Sequence, residues 1–409
     1  MERQYKDSGI EWIGRIPEEW KILPHKHIMR KKKDLCMKYN GEDIISLTTN
    51  GVIVRDLTAG GKMPTTFDGY QYVNPGELLL CLFDIDVTPR CVGYVKNSGL
   101  TSPAYSRFIL ANDSYAPYYD YLLRYMDDEK CLLHLSKNLR SSLTEEDFGQ
   151  ILSILPPLPE QQRIASYLDK KCGEIDELIA LQEKMIAQLT EYKQAVITEA
   201  VTKGLDPNAK LVPSGIEWIG EVPEGWKVCR FKSYISLVKE KVDDQYLPKI
   251  NLENIESFSG KFIETDSKYD GEGCLFEPGD VLFGKLRPYL AKVFVPDYRG
   301  QAIGDFYVFR PSTKVETNYL KYIILSDTFI SNVNSSTYGT KMPRANWEYI
   351  STVYIAIPSK DEQHSIASYL DTKCSEIDSL ITLKRQKIET LNAYKKSIIY
   401  EAVTGKTII

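Results

Sequence analysis

Two stretches have the form Asp-x-Lys, Asp169-Lys170-Lys171 and Asp371-Thr372-Lys373, a spacing found in some nucleases. Neither has a partnered acid upstream in a strand, and both fall within helical patterns, so a solvated helix face accounts for them better. His134 and His364 have no nucleophile nearby and read as ordinary surface residues. The eight cysteines form no Cys-x-x-Cys pair and no cluster with the four histidines, which argues against a zinc site and a disulfide framework. Reduced thiols are the expectation. There is no Gly-rich phosphate loop, no Asp/Asn-Pro-Pro-Tyr signature of adenine methyltransferases, no Gly-x-Ser-x-Gly elbow and no His-Glu-x-x-His. The inventory suits a recognition protein with no catalytic residue, no metal and no cofactor of its own.

Hydrogen-bond donors and aromatic rings are gathered elsewhere. Lys285, Arg287 and Tyr289 follow an apolar run, and Tyr338, Lys341 and Arg344 share a second short segment. The first half of the chain has matching segments, residues 84–90 with Arg90 and residues 136–142 with Lys137, Asn138, Arg140 and Ser141. Arg30 and Lys31 open a run of four basic residues, which a solvated helix face would also explain. The net charge of -5 excludes a bulk basic binder. It does not exclude local phosphate contacts, which need Lys and Arg only where they touch.

What positions these segments is a duplication. Ser8-Gly9-Ile10-Glu11-Trp12-Ile13-Gly14 recurs as Ser214-Gly215-Ile216-Glu217-Trp218-Ile219-Gly220, and Ile164-Ala165-Ser166-Tyr167-Leu168-Asp169 as Ile366-Ala367-Ser368-Tyr369-Leu370-Asp371. Glu199-Ala200-Val201-Thr202 recurs as Glu401-Ala402-Val403-Thr404. Between these anchors the copies diverge, so that a common frame would carry different loops. Short β-rich runs near 44–54, 78–83, 91–95 and 105–111, matched near 247–252, 281–286, 291–295 and 303–310, predict a mixed globule in each copy. Helices are expected over 117–135 and 316–333, with Tyr121, Leu122 and Tyr125 on one apolar stripe.

Each copy ends in a longer helical pattern. Ile164, Leu168, Ile175, Ile179, Ile186, Leu189, Val196 and Ala200 step by threes, fours and sevens, and Ile366, Leu370, Ile377, Ile381, Ile388, Leu391, Ile398 and Ala402 repeat that seam. At 1.5 Å per residue each helix would span roughly 60 Å. A single apolar seam must be buried, and the other copy's helix is the natural partner. The expected fold class is α+β: two mixed α/β domains, residues 1–157 and 206–357, joined by two long antiparallel coiled-coil helices, 158–205 and 358–409, with pseudo-two-fold internal symmetry. No run of about 18 apolar residues predicts a membrane span, and no secretory leader is visible, so a cytoplasmic location is expected.

The segment SGIEWIGRIPEEWK, the run Pro156-Pro157-Leu158-Pro159-Glu160-Gln161-Gln162-Arg163-Ile164 and the helix ending EAVTKGL, each with its second copy, resemble the specificity (S) subunit of type I restriction-modification systems from end to end. The second copy departs from the pattern at Ser359-Lys360, where the first has Leu158-Pro159. The resemblance implies two target-recognition domains, each reading half of a split, asymmetric site in double-stranded DNA. It implies a complex with two methyltransferase (M) and two restriction/translocase (R) subunits, which would supply adenine-N6 methylation and site-specific cleavage. The donor-bearing segments named above would then be the DNA contacts. A standalone DNA-modifying enzyme is the first alternative, disfavoured by the missing motifs. A coiled-coil adaptor is the second, disfavoured by the divergence of the loops.

Overall fold

The computed structural model describes residues 3–49, 51–58, 64–88, 90–133, 141–337, 339 and 341–409. Tyr338, Lys137, Asn138, Arg140 and His134 lie outside the described residues. The chain forms two compact units, Met1–Leu181 with Lys387–Ile409, and Gln182–Gln386. Each unit therefore contains part of both long helices, Leu158–Lys203 and Lys360–Val403.

In the first unit the turn Asn74-Pro75-Gly76-Glu77 ends in an acid that closes it, Glu77 accepting from the Asn74 amide at 2.9 Å. The same carboxylate takes a bidentate bond from the fully buried Arg107. The turn launches strand Leu78–Leu80, every residue of which is buried. It lies centrally in an antiparallel sheet ordered Met29–Lys31, Ser106–Leu110, Leu78–Leu80, Val92–Tyr94. A second sheet, ordered Gly51–Val54, Ile44–Thr48, Gly99–Thr101, Gln71–Val73, has one parallel pairing, Leu100 beside Ile44. Helix Ala116–Asp128 buries Tyr118, Tyr119, Leu122 and Leu123 against the first sheet. Each such side chain is worth about 1.5–3 kcal/mol of burial.

The second unit repeats the plan. Asp280 accepts from the Glu277 amide at 2.8 Å and grips Arg310 with two bonds. Its first sheet is ordered Ile235–Val238, Phe306–Pro311, Val281–Gly284, Val293–Phe294. The second sheet keeps three strands in the same relation, Lys249–Ile250 parallel and Gly273–Phe276 antiparallel to Gly300–Ala302. The fourth strand is on the opposite edge: Lys241–Val242 flanks Gly273–Phe276, whereas in the first unit Gly51–Val54 flanks Ile44–Thr48.

Local differences from the sequence expectation have local causes. The helix expected over 316–333 is two helices, Thr317–Leu325 and Asp327–Ser335. Ser326 breaks it by turning extended and accepting from the Phe329 amide. The basic run at Arg30 and Lys31 is not a helix face, because Met29–Lys31 is an edge strand paired with Ser106–Leu110. Ser359 caps its helix, accepting from the Glu362 amide at 3.3 Å, which compensates for the absent proline.

The long helices are antiparallel within each unit. In the first, Lys395 meets Asp176 at 2.6 Å, and in the second, Lys193 meets Asp378 at 2.7 Å. The expected seam is buried at Ile164, Leu168 and Ile175 and at Ile366, Leu370 and Ile377. It is less apolar than the sequence suggests, since Lys193 and Gln182 are buried beside it.

The helix ends enter the globule cores. Ala402 and Val403 belong to the first unit's core, and Ile197, Ala200 and Val201 to the second's. Tyr118 donates to the Val403 carbonyl at 2.7 Å, and Tyr319 to that of Val201 at 3.3 Å. The end of each helix is thus fastened to the globule of the opposite repeat.

Candidate nucleic-acid interface

In the second unit, strand Val281–Gly284 runs into a loop carrying Lys285, Arg287 and Tyr289. A second loop carries Lys341 and Arg344 and leads into the short helix Trp347–Ile350. Hydrogen bonds lock the two together. The Arg287 amide donates to Pro343 and the Ala345 amide to Lys285, both at 2.8 Å. Leu286 and Arg344 form an antiparallel bridge. Tyr307 braces the junction, its hydroxyl donating to the Ala345 carbonyl at 3.1 Å while Lys285 lies 5.5 Å over its ring.

The first unit builds the same junction from different residues. Leu143 donates to the Leu82 carbonyl at 2.8 Å, in the place of Ala345 with Lys285, and Ile85 donates to Ser141 at 3.1 Å, one residue beyond the place of Arg287 with Pro343. Helix Ala116–Asp128 supports the loop from behind. Lys130 donates to the carbonyls of Ile85 and Thr88, and Asp127 accepts from the Cys91 amide at 2.8 Å.

Not every expected donor is free. Arg344 makes a two-pronged contact with Asp305, at 3.0 and 3.3 Å, and Lys285 approaches the same carboxylate at 3.7 Å. That contact raises the Arg344 pKa, through the Asp305 hydrogen bond first. Exposed pairs of this kind contribute little and can be exchanged for another anion. Arg90 pairs with Asp128 at 3.3 Å and is only 20% exposed. Lys31 pairs with Glu145 across the sheet edge. Arg30, Arg287, Tyr289 and Lys341 are exposed. Ser141 is half-buried, and its carbonyl is spent on Ile85.

The backbone is unusual at the same places. Six described non-glycine residues have positive φ: Asp84, Lys130, Ser141, Phe258, Arg287 and Ala291. All except Phe258 lie in these loops or support them. Left-handed backbone costs an ordinary L-residue roughly 1–2 kcal/mol and persists only where surrounding bonds dictate it.

Asp305, Asp127 and Lys130 escape a reading of the sequence, because each is remote along the chain from the loop it serves. The acids of the two Asp-x-Lys stretches have structural partners. Asp169 accepts from Tyr121 at 2.8 Å and Asp371 from Tyr322 at 2.6 Å, so each pins a globule helix to a long helix. Burial first, then the bonded carboxylate, raises both tyrosine pKa values. Among the described residues no group of three or more His, Cys, Asp or Glu could hold a metal ion. Among the same residues no helix is long and apolar enough to cross a membrane.

The repeat anchors are fastenings rather than binding residues. Trp20 donates to Glu160 at 2.9 Å and Trp226 to Glu362 at 3.2 Å. Gln161 accepts from the Tyr115 amide and donates to Asp113 and Pro156. Gln363 does the same with Glu316, Lys314 and Pro358.

Known proteins resemble this chain in sequence and in fold. A type I restriction modification DNA specificity domain matches residues 224–393. The chain is 27% identical over 280 residues to the type I restriction enzyme MjaVIII specificity subunit of Methanocaldococcus jannaschii, covering 63% of each chain. It is 25% identical over 287 residues to the EcoDI specificity subunit of Escherichia coli, covering 64% of this chain and 63% of that one. The matches thus span less than two thirds of the length of these relatives. A solved chain described under complex assembly and conformational transition of the type I R-M system shares the fold, with a TM-score of 0.71 at 15% identity, over 96% of this chain and 99% of that one.

Proposed function

We propose that this chain, a member of the type I specificity-subunit family, is the sequence-reading subunit of a restriction-modification complex. Each unit reads one half of a split, asymmetric site in double-stranded DNA through its pair of interlocked loops. The chain itself carries no catalysis. Two methyltransferase subunits and two restriction subunits would dock on it in the cytoplasm, and they would supply adenine methylation and cleavage. The long helices would fix the gap between the half-sites.

One observation carries this reading. The two units keep a pair of loops tied by two backbone bonds, one of them shifted by a residue, and change the side chains the loops carry. Arg287 and Tyr289 stand where the first unit has Asp84 and Asp86, and the half-buried Lys285 where it has the core residue Leu82. Phosphate contacts position a protein on a duplex, and base contacts specify the sequence. Two copies of one junction with unlike side chains would therefore read two unlike half-sites. An adaptor has no need of such divergence on a maintained frame.

The test is a genome-wide map of methylated adenines with and without the chain. The expected result is a bipartite, non-palindromic motif that disappears when the gene is deleted. A methylation pattern unchanged by deletion overturns the proposal.

A further inference from the structure

We infer that Arg287 and Asp84 are equivalent base-reading positions, each contacting one G·C pair: Arg287 on the guanine and Asp84 on the cytosine. This rests on the reading of the chain as a DNA sequence reader and goes beyond it by assigning position and base.

The two positions are equivalent in the fold. Leu78 and Val281 follow matching turns, and the loop after each strand carries one residue at the same place with left-handed backbone, Asp84 at φ 48 and Arg287 at φ 51. Both amides are tied to the partner loop, Asp84 to the Ser142 hydroxyl at 3.3 Å and Arg287 to the Pro343 carbonyl at 2.8 Å. The left-handed geometry is thus imposed from outside on two residues of unlike chemistry. That favours selection for where the side chain is displayed over local turn preference.

Arg287 is exposed and Asp84 is half-buried. Neither has a hydrogen-bond or ion-pair partner among the described residues. Several cationic neighbours are occupied: Lys285 and Arg344 by Asp305, Arg90 by Asp128, and Lys130 by Asp127 and two loop carbonyls, while Lys341 on the interlocked loop is exposed. Arg287 and Asp84 are left to meet a ligand.

The base follows from the chemistry of each side chain. A guanidinium matches the paired acceptors N7 and O6 of guanine in the major groove. A carboxylate near DNA is repelled by phosphates, so its presence requires a donor, and acidic side chains accept from cytosine N4. An acid at this point also rejects bases that offer only acceptors there.

The experiment is selection of bound duplexes from a random pool by the full-length chain and by two variants, Arg287→Asn and Asp84→Asn. Asparagine tolerates left-handed backbone, so the loops should survive, and equal melting temperatures check this. Arg287→Asn should lose preference for one G·C pair in one half-site, by roughly tenfold or more, with the other half unchanged. Asp84→Asn should lose one G·C pair in the other half. Replacing the guanine read by Arg287 with 7-deazaguanine should weaken the wild type and leave Arg287→Asn unaffected. Weakening that is uniform across sequences, an unchanged motif, or loss at an A·T pair overturns the assignment while the DNA-reading function stands. A wild-type chain that selects no motif overturns both.

Discussion

Gly405 follows the second long helix with φ +72, and a β-carbon built there would lie 2.6 Å from Pro17 Cδ and 2.8 Å from both Pro17 Cγ and Trp20 Cη2. Gly405→Ala therefore meets two penalties. Left-handed backbone costs about 1–2 kcal/mol. Overpacking against a ring and a fully buried indole costs about 1–3 kcal/mol more, because neither neighbour is a flexible chain end. The reduced entropy of the unfolded chain returns only about 0.4–1 kcal/mol. For a unit of this size the net loss of about 1–5 kcal/mol corresponds to a melting temperature lowered by roughly 2–18 °C. Gly204, at the end of the first long helix, supplies the control. Its backbone is equally left-handed, at φ +75, but its nearest neighbours are 3.2 Å away at Trp226 and 3.3 Å at the far end of the Glu362 side chain. Gly204→Ala should lose about 1 kcal/mol, from strain alone. Differential scanning calorimetry of the full chain and both variants reads the difference. A Gly405→Ala variant melting within about 1 °C of wild type, or a Gly204→Ala variant the worse of the two, would refute the packing argument.

Two further outcomes are expected. His25 is fully buried with its ring tilted against Phe148, and desolvation lowers its pKa from 6.5 to about 4 despite the Phe148 carbonyl. The folded state holds it neutral while the unfolded chain takes up a proton below pH 6.5, so stability falls as the pH drops from 6.5 to 4. The loss amounts to about 3 kcal/mol in all. Denaturant titrations at several pH values should show a shallower dependence in His25→Phe, and equal slopes would exclude His25 as the cause. Replacing Lys341 and Arg344 together with Ala should weaken cognate DNA binding at moderate salt while leaving the melting temperature unchanged. The plot of log affinity against log salt should become shallower by about 0.9 for each phosphate the two side chains neutralise. Wild-type affinity in that double variant would remove both residues from the interface.

The repeat and the long helices were legible because each leaves a periodic or duplicated trace in the sequence. The helix seam repeats on a heptad, and the Trp-rich and Glu-Gln segments recur nearly letter for letter. The state of the donors was not legible. Arg344 looks free in the sequence, yet its partner Asp305 stands 39 positions away along the chain. Short strands left no trace either. Gln71–Val73 and Gly99–Thr101 have three residues each, too few for alternation to emerge, and they are held by pairing with strands distant in the chain. Arg30 and Lys31 misled for the opposite reason. Four consecutive basic residues fit a solvated helix, and pairing with Ser106–Leu110 makes Arg30 and Lys31 strand, with Lys32 and Lys33 just beyond it.

The divergence between the copies follows from what each shared residue fastens. Trp20 with Glu160 and Trp226 with Glu362 tie a globule to the start of its own helix. Tyr118 with Val403 and Tyr319 with Val201 tie it to the end of the other. A change in any of these leaves a buried polar group unpaired, which costs about 1–3 kcal/mol. The loop junctions are different. Their fixed bonds run through backbone amides and carbonyls, as from Leu143 to Leu82 and from Ala345 to Lys285, and these survive any side chain that fits the space. The fold thus constrains the frame through paired side chains, and the loops mainly through backbone groups braced by a few side chains such as Tyr307, Lys130 and Ser142. Where only backbone is constrained, side chains are free to differ, so a duplicated frame of this kind can acquire two specificities without losing either copy's stability.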